Sequence, residues 1–182
     1  MIDVKGLEKS FGDHHVLKGI NEHIYKGEKV VVIGPSGSGK STFLRVLAGI
    51  YKPDEGVAYF DDEPVYENPS VKEQISFVAD ELYFLTGSNM KKMALMYKRL
   101  YDNFDMDRFN ELTKIFGLDP DKNIANFSKG MRRQASIILT LSTRAKYMFF
   151  DETFDGLDPV MRNLVKKLIC DDVAEKGSTV II

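Results

Sequence analysis

The sequence predicts an α/β fold built on a mostly parallel sheet with helices on both faces. Three observations carry that expectation. The runs "VVVI" (Val30–Ile33) and "YMFF" (Tyr147–Phe150) are short and wholly apolar, so they read as strands buried on both faces. Stretches with helical spacing of apolar residues alternate with such strands. The segment "GPSGSGKST" (Gly34–Thr42) lies between the first of these strands and the next helix, and it fits G-x-x-x-x-G-K-[ST].

The elements follow in order. In "STFLRVLAGI", Phe43, Leu44, Leu47 and Ile50 share one helical face. "VAYF" (Val57–Phe60) and "ISFVA" (Ile75–Ala79) read as further strands. From Met90 to Leu141 the texture is helical. Met93, Met96, Tyr97 and Leu100 align on one face, Gly117 is a stop signal, and Ser128 is a credible N-cap. Pro159 suits the first turn of a later helix. "GSTVII" (Gly177–Ile182) then opens another buried strand after a Gly-Ser turn. The expected plan is a core of about 1–81 and 142–182, interrupted by a helical insert of about 82–141.

Composition narrows the function. With 43% apolar residues in 182, the chain can build one packed domain. A formal net charge of -2 lacks the basic excess of a general nucleic-acid binder, so no nucleic acid is expected. Cys170 is the only cysteine, which excludes an internal disulfide and fits a reducing compartment. "MIDVKGLEKS" has no apolar signal region, and no run reaches the ~18 residues of a membrane span. Work at a membrane would need a partner. His14, His15 and His23 show no metal-ligand spacing and read as surface residues.

The glycine-rich segment carries the chemistry. Gly34, Gly37 and Gly39 let the backbone wrap a phosphate with its N–H groups inward. Pro35, Ser36, Ser38 and Thr42 complete the loop. Lys40 supplies a positive charge for the β- and γ-phosphates of ATP, and Ser41 offers a hydroxyl to Mg²⁺. The helix that starts there adds its positive end. A second Mg²⁺ site is expected at a strand tip. Asp151 follows "YMFF" and suits it, while Glu152 is placed to take a proton from an attacking water. The fold expected is therefore a P-loop NTPase core.

At these residues the chain resembles the ATP-binding subunits of ABC transporters from end to end. The family signature L-S-G-G-Q falls where this chain has "FSKGM" (Phe127–Met131). Ser128 and Gly130 match; Phe127, Lys129 and Met131 depart. "DGLD", ending at Asp158, corresponds to the family's D-loop. "KSFG" puts Phe11 where an aromatic stacks on adenine. The resemblance adds an N-terminal antiparallel β element. It also implies a head-to-tail dimer, homo- or heteromeric, in which Ser128 and Gly130 reach the ATP of the partner subunit. Lys129, Arg132 and Arg133 add positive charge at that helix start, and the two arginines also read as a solvated basic face.

Where the family carries a Q-loop glutamine, this chain has Asp80. An ionised acid can approach Mg²⁺ or its water but cannot donate a hydrogen bond. Asp80 is therefore a candidate metal and catalytic residue. Leu82, Tyr83, Phe84 and Leu85 lie where the family docks its transmembrane permease, although the same cluster also reads as insert core. Met90, Met93 and Met96 read as insert core. The expected role is an ATPase subunit at the cytoplasmic face of the cell membrane. Asp80, Met131 and the short insert resemble the exporter branch. The rivals are a soluble ABC-type ATPase acting on ribosomes or DNA, and a GTPase or kinase. The first lacks its charged linker or coiled coil here; the second leaves "FSKGM" and "DGLD" unexplained. The family also places a switch histidine a few residues after the strand in "GSTVII". The chain is thus expected to be truncated before that histidine, binding nucleotide but hydrolysing it poorly.

Overall fold

The structure, a computed structural model, describes residues 1–182. Two four-stranded sheets form it. One is antiparallel, in the order β2-β1-β4-β5: β1 Ile2–Phe11, β2 His14–Ile24, β4 Glu55–Phe60 and β5 Glu63–Pro64. The other is parallel, in the order β3-β8-β7-β6: β3 Lys29–Val30, β6 Ile75–Val78, β7 Tyr147–Phe150 and β8 Thr179–Ile181. The helices are α1 Lys40–Leu47, α2 Pro69–Lys72, α3 Met90–Leu100, α4 Met106–Phe116, α5 Lys129–Ser142 and α6 Pro159–Lys176, with a 3-10 turn at Ile124–Asn126.

Strand β7 shows why an unbroken apolar run is needed at the centre of this fold. It pairs with β6 on one side and β8 on the other. Successive side chains of a strand point to opposite faces. Tyr147 and Phe149 join the core beneath the antiparallel sheet and α1; Met148 and Phe150 join the core formed by α3 to α6. β7 therefore belongs to both cores, and every residue in it is buried. β8 is equally enclosed, with Val180 and Ile181 fully buried, as the Gly-Ser turn and apolar run predict. Gly177 closes α6 at φ 66°, a left-handed conformation that favours glycine at this turn.

Three expectations fail. Val30–Ile33 is not a strand buried on both faces. The strand covers Lys29–Val30, its hydrogen bonding runs on to Val32 N–H and the Ile182 carbonyl at 2.7 Å, and Val31 and Ile33 are 63% and 89% exposed. β3 is an edge strand, paired only with β8, and residues 30–33 line a cleft of about 460 Å³ rather than a covering helix. Ile50 does not share the buried face of α1. The helix ends at Leu47, Gly49 turns the chain at φ 65°, and Ile50 is left 53% exposed. Leu100 likewise leaves the α3 stripe, at 58% exposed, while Met90 and Met93 are core. All three histidines are exposed.

Candidate nucleotide-binding site

Helix starts leave N–H groups without intrahelical partners. In five of the six α-helices a side chain supplies an acceptor: Asn68, Asn89, Asp105, Ser128 and Asp158 cap α2 to α6. Helix α1 starts at Gly39, which has no side chain to offer. Its N–H groups are thus left for an external acceptor, at the end of the glycine-rich loop. Gly39 has φ 95°, and a Cβ there would lie 2.8 Å from a Val16 methyl carbon. A Cβ on Gly34 would lie 2.6 Å from Ser38 Oγ. Gly39 is favoured by both its left-handed φ and this close approach, whereas at Gly34 the neighbour is a serine hydroxyl that can rotate aside.

Lys40 is folded into this loop. Its Nζ donates to the carbonyls of Gly34 and Pro35, both at 2.9 Å. An ammonium has three N–H donors, so one remains for a phosphate oxygen. Next in sequence, Ser41 Oγ donates to Asp151 Oδ1 at 2.7 Å. Asp151 is 2% exposed, yet its Oδ2 has no hydrogen-bond partner. The nearest positive charge is Arg45 Nη2, at 3.6 Å. A hydroxyl beside a carboxylate with an orphaned buried oxygen is a hard-oxygen donor set, which fits Mg²⁺ completed by phosphate and water.

Glu152 follows at φ 47°, a sparsely populated conformation for a non-glycine residue. It is exposed, and it lines a cavity of about 180 Å³ with Lys40 and Asp151. Phe11, half-exposed at the end of β1, sits edge-on to Tyr51 at 5.6 Å, with Lys9 Nζ 5.5 Å from its ring centre. Neither Tyr51 nor Arg45 is singled out by the sequence motifs. Arg45 also lies 5.9 Å from the Tyr51 ring, so one guanidinium stands between the Asp151 and Phe11 ends of the site.

Ser128 and Gly130 lie on the start of α5, away from these contacts. Ser128 Oγ accepts from Met131 N–H at 3.2 Å, as an N-cap should. A Cβ on Gly130 would stand 3.4 Å from the Gly156 carbonyl oxygen. The signature turn therefore adjoins "DGLD", whose Asp158 caps α6 through Val160 and Met161 N–H.

Arg133 corrects the expectation of a solvated basic face. It is 2% exposed; its Nη2 donates to Asp80 Oδ1 and its Nη1 to the Ala79 carbonyl, both at 3.0 Å. The candidate metal residue Asp80 is thus held by a guanidinium from α5. The Leu82–Leu85 cluster divides between its two readings. Leu82 and Phe84 pack on the insert core, while Tyr83 is 79% exposed at a groove of about 280 Å³.

An uncapped helix behind a glycine loop, and a serine aimed at a half-satisfied buried carboxylate, complement the same thing: a phosphate group with its metal. That complementarity places the chain among the P-loop nucleotide-binding proteins. Comparison with known proteins narrows the class. Residues 17–155 match the family described as ABC transporter, and the chain belongs to that family. It is 32% identical over 182 residues to the ABC transporter ATP-binding protein YtrB of Bacillus subtilis, matching all of this chain and 62% of YtrB. It is 33% identical over 196 residues to the L-cystine import ATP-binding protein TcyN of the same organism, across all of this chain and 75% of TcyN. An ATP-binding cassette solved as a dimer in a post-hydrolysis state with ADP and Pi superposes with TM-score 0.87 at 24% identity. That superposition covers 100% of this chain and 86% of the other, and it shows the shared fold.

Proposed function

We propose that this chain binds and hydrolyses ATP as the nucleotide-binding subunit that powers a membrane transporter. The observation that carries the reading is the Ser41–Asp151 hydrogen bond, with its unsatisfied Asp151 oxygen directly behind the glycine loop. Lys40 and the α1 N–H groups bind the phosphates. Ser41 and Asp151 hold Mg²⁺, which would supply charge neutralisation on the phosphate oxygens. Glu152, turned outward at the strand tip, accepts a proton from the attacking water. Phe11 stacks on adenine.

Ser128 and Gly130 reach the ATP of a second, head-to-tail subunit. The exposed start of α5 suits that role, and the family neighbour solved as a dimer supports it. The Leu82–Leu85 groove receives a permease. No helix is long and apolar enough to cross a membrane, so attachment at the cytoplasmic face would come through that partner. The export direction rests on Asp80, Met131 and the short insert alone, since TcyN is named for import.

Titration of ATP into wild-type and Lys40→Ala chains, with an ATPase assay on each, tests the reading. Loss of binding and turnover in the variant supports it; equal affinity and rate in both would remove the loop from the mechanism.

A further inference from the structure

Strands β6 and β7 run parallel with Val78 opposite Phe150. Past that rung the chain leaves one strand as Ala79-Asp80-Glu81 and the other as Asp151-Glu152. Four carboxyl groups therefore gather at one end of the sheet, beside the proposed seat of a triphosphate. Uncompensated negative charge there would oppose a ligand that is itself strongly negative.

Two guanidinium groups answer that row. Arg45 stands near Asp151, and Arg133 reaches Asp80 from α5. Arg133 is the more unusual. A nearly fully buried cation costs solvation free energy and persists only with strong partners. Asp80 is its only carboxylate within ion-pair distance, and its Nε has no acceptor at all. The Asp80 side chain is 46% exposed, so it keeps a solvent-facing side while its Oδ1 is held.

We infer that Arg133 is the resident counter-charge of Asp80, a positioning residue that makes an acid at this strand tip compatible with a bound polyphosphate. The inference rests on the nucleotide-binding reading and adds a residue to it. Arg133 belongs to the same helix whose start carries Ser128. The pair therefore also ties the β6 tip, next to the β7 tip that carries Asp151, to the element proposed to meet the partner's nucleotide. Because the effect is charge compensation, it should grow with the number of phosphates.

The test is calorimetric titration of ATP, ADP and AMP in EDTA, which removes metal contacts. The proteins are the wild-type chain, Arg133→Met, Asp80→Asn and the double variant. Arg133→Met keeps bulk and removes charge; it should weaken ATP about three- to tenfold, ADP less, and AMP hardly at all. Adding Asp80→Asn should restore ATP affinity to within about twofold of wild type. Equal weakening for all three nucleotides, or no restoration in the double variant, overturns the inference, because a packing role would behave that way. Should Arg133→Met fail to fold, Asp80→Asn alone decides. It should tighten metal-free ATP by about three- to tenfold, and unchanged or weaker binding overturns the inference. A wild-type chain that binds none of the three nucleotides overturns the nucleotide-binding reading itself. That result is distinct from a wild type that binds and variants that do not discriminate.

Discussion

Ser41 and Asp151 are 110 residues apart in the chain and 2.7 Å apart in the fold, serine hydroxyl to carboxylate oxygen. The first stands in the opening turn of α1, the second at the tip of β7. The hydrogen bond holds one oxygen of Asp151 and leaves the other buried without a hydrogen bond, 3.6 Å from the Arg45 guanidinium. Such an atom is costly without a partner, so the pair stores a requirement that a metal with its phosphate would satisfy.

Lys40→Ala should weaken MgATP by about 10- to 100-fold, the scale of losing a charge-assisted contact. The variant also frees the Gly34 and Pro35 carbonyls that Lys40 now engages. A titration with ATP measures this directly, and undiminished affinity would count against the loop.

Glu152→Gln should keep ATP affinity near wild type and slow hydrolysis by about 10²-fold or more. Its side chain is exposed and makes no hydrogen bond or ion pair within the chain, so stability should change little. A single-turnover assay separates binding from chemistry, and wild-type turnover would take the base role from Glu152.

Ser128→Arg should act on the partner's nucleotide. In a mixed dimer with one altered subunit, turnover should fall by about twofold or more while the altered chain still binds ATP through its own loop. A mixed dimer with full activity would contradict the head-to-tail arrangement.

Asp61 predicts an acid-dependent loss of stability. Partial burial works to raise its pKa, but hydrogen bonds from Lys146, the N-terminal ammonium and Tyr147 outweigh that and hold it well below the usual carboxylate range. A depressed folded-state pKa stabilises the protein above the unfolded value near 4, and the contribution fades as pH falls toward the folded value. Asp61→Asn should lower Tm at pH 7 by about 2–4 °C, corresponding to about 1 kcal/mol after solvent screening. The gap between the two proteins should narrow on acidification below about pH 4. A gap that stays constant from pH 7 to pH 2 would show that the ion pairs contribute nothing.

Much of this was legible in the sequence wherever a local pattern has one physical solution. The glycine spacing with Lys40 and Ser41 predicts a glycine loop running into an uncapped helix start, which the fold has. "YMFF" required a strand covered on both faces, and Ser128 and Pro159 marked helix starts. The less legible features depend on residues distant in the chain. Arg133 carries the same charge as Arg132 beside it, and only its meeting with Asp80, 53 residues earlier, shows that it is buried. Within residues 1–182 Val30–Ile33 lies at a sheet edge with one open face, a placement that an apolar run alone does not reveal. Tyr51 beside Phe11 and Arg45 beside Asp151 are likewise products of the fold.

The most direct measurement is ATP affinity with and without Mg²⁺ in the wild-type chain and in Asp151→Asn. If Ser41 and Asp151 complete a metal–nucleotide site, Mg²⁺ will tighten ATP binding in the wild type, and that gain will vanish in the variant while metal-free ATP binding persists. An identical Mg²⁺ effect in both proteins would contradict the account.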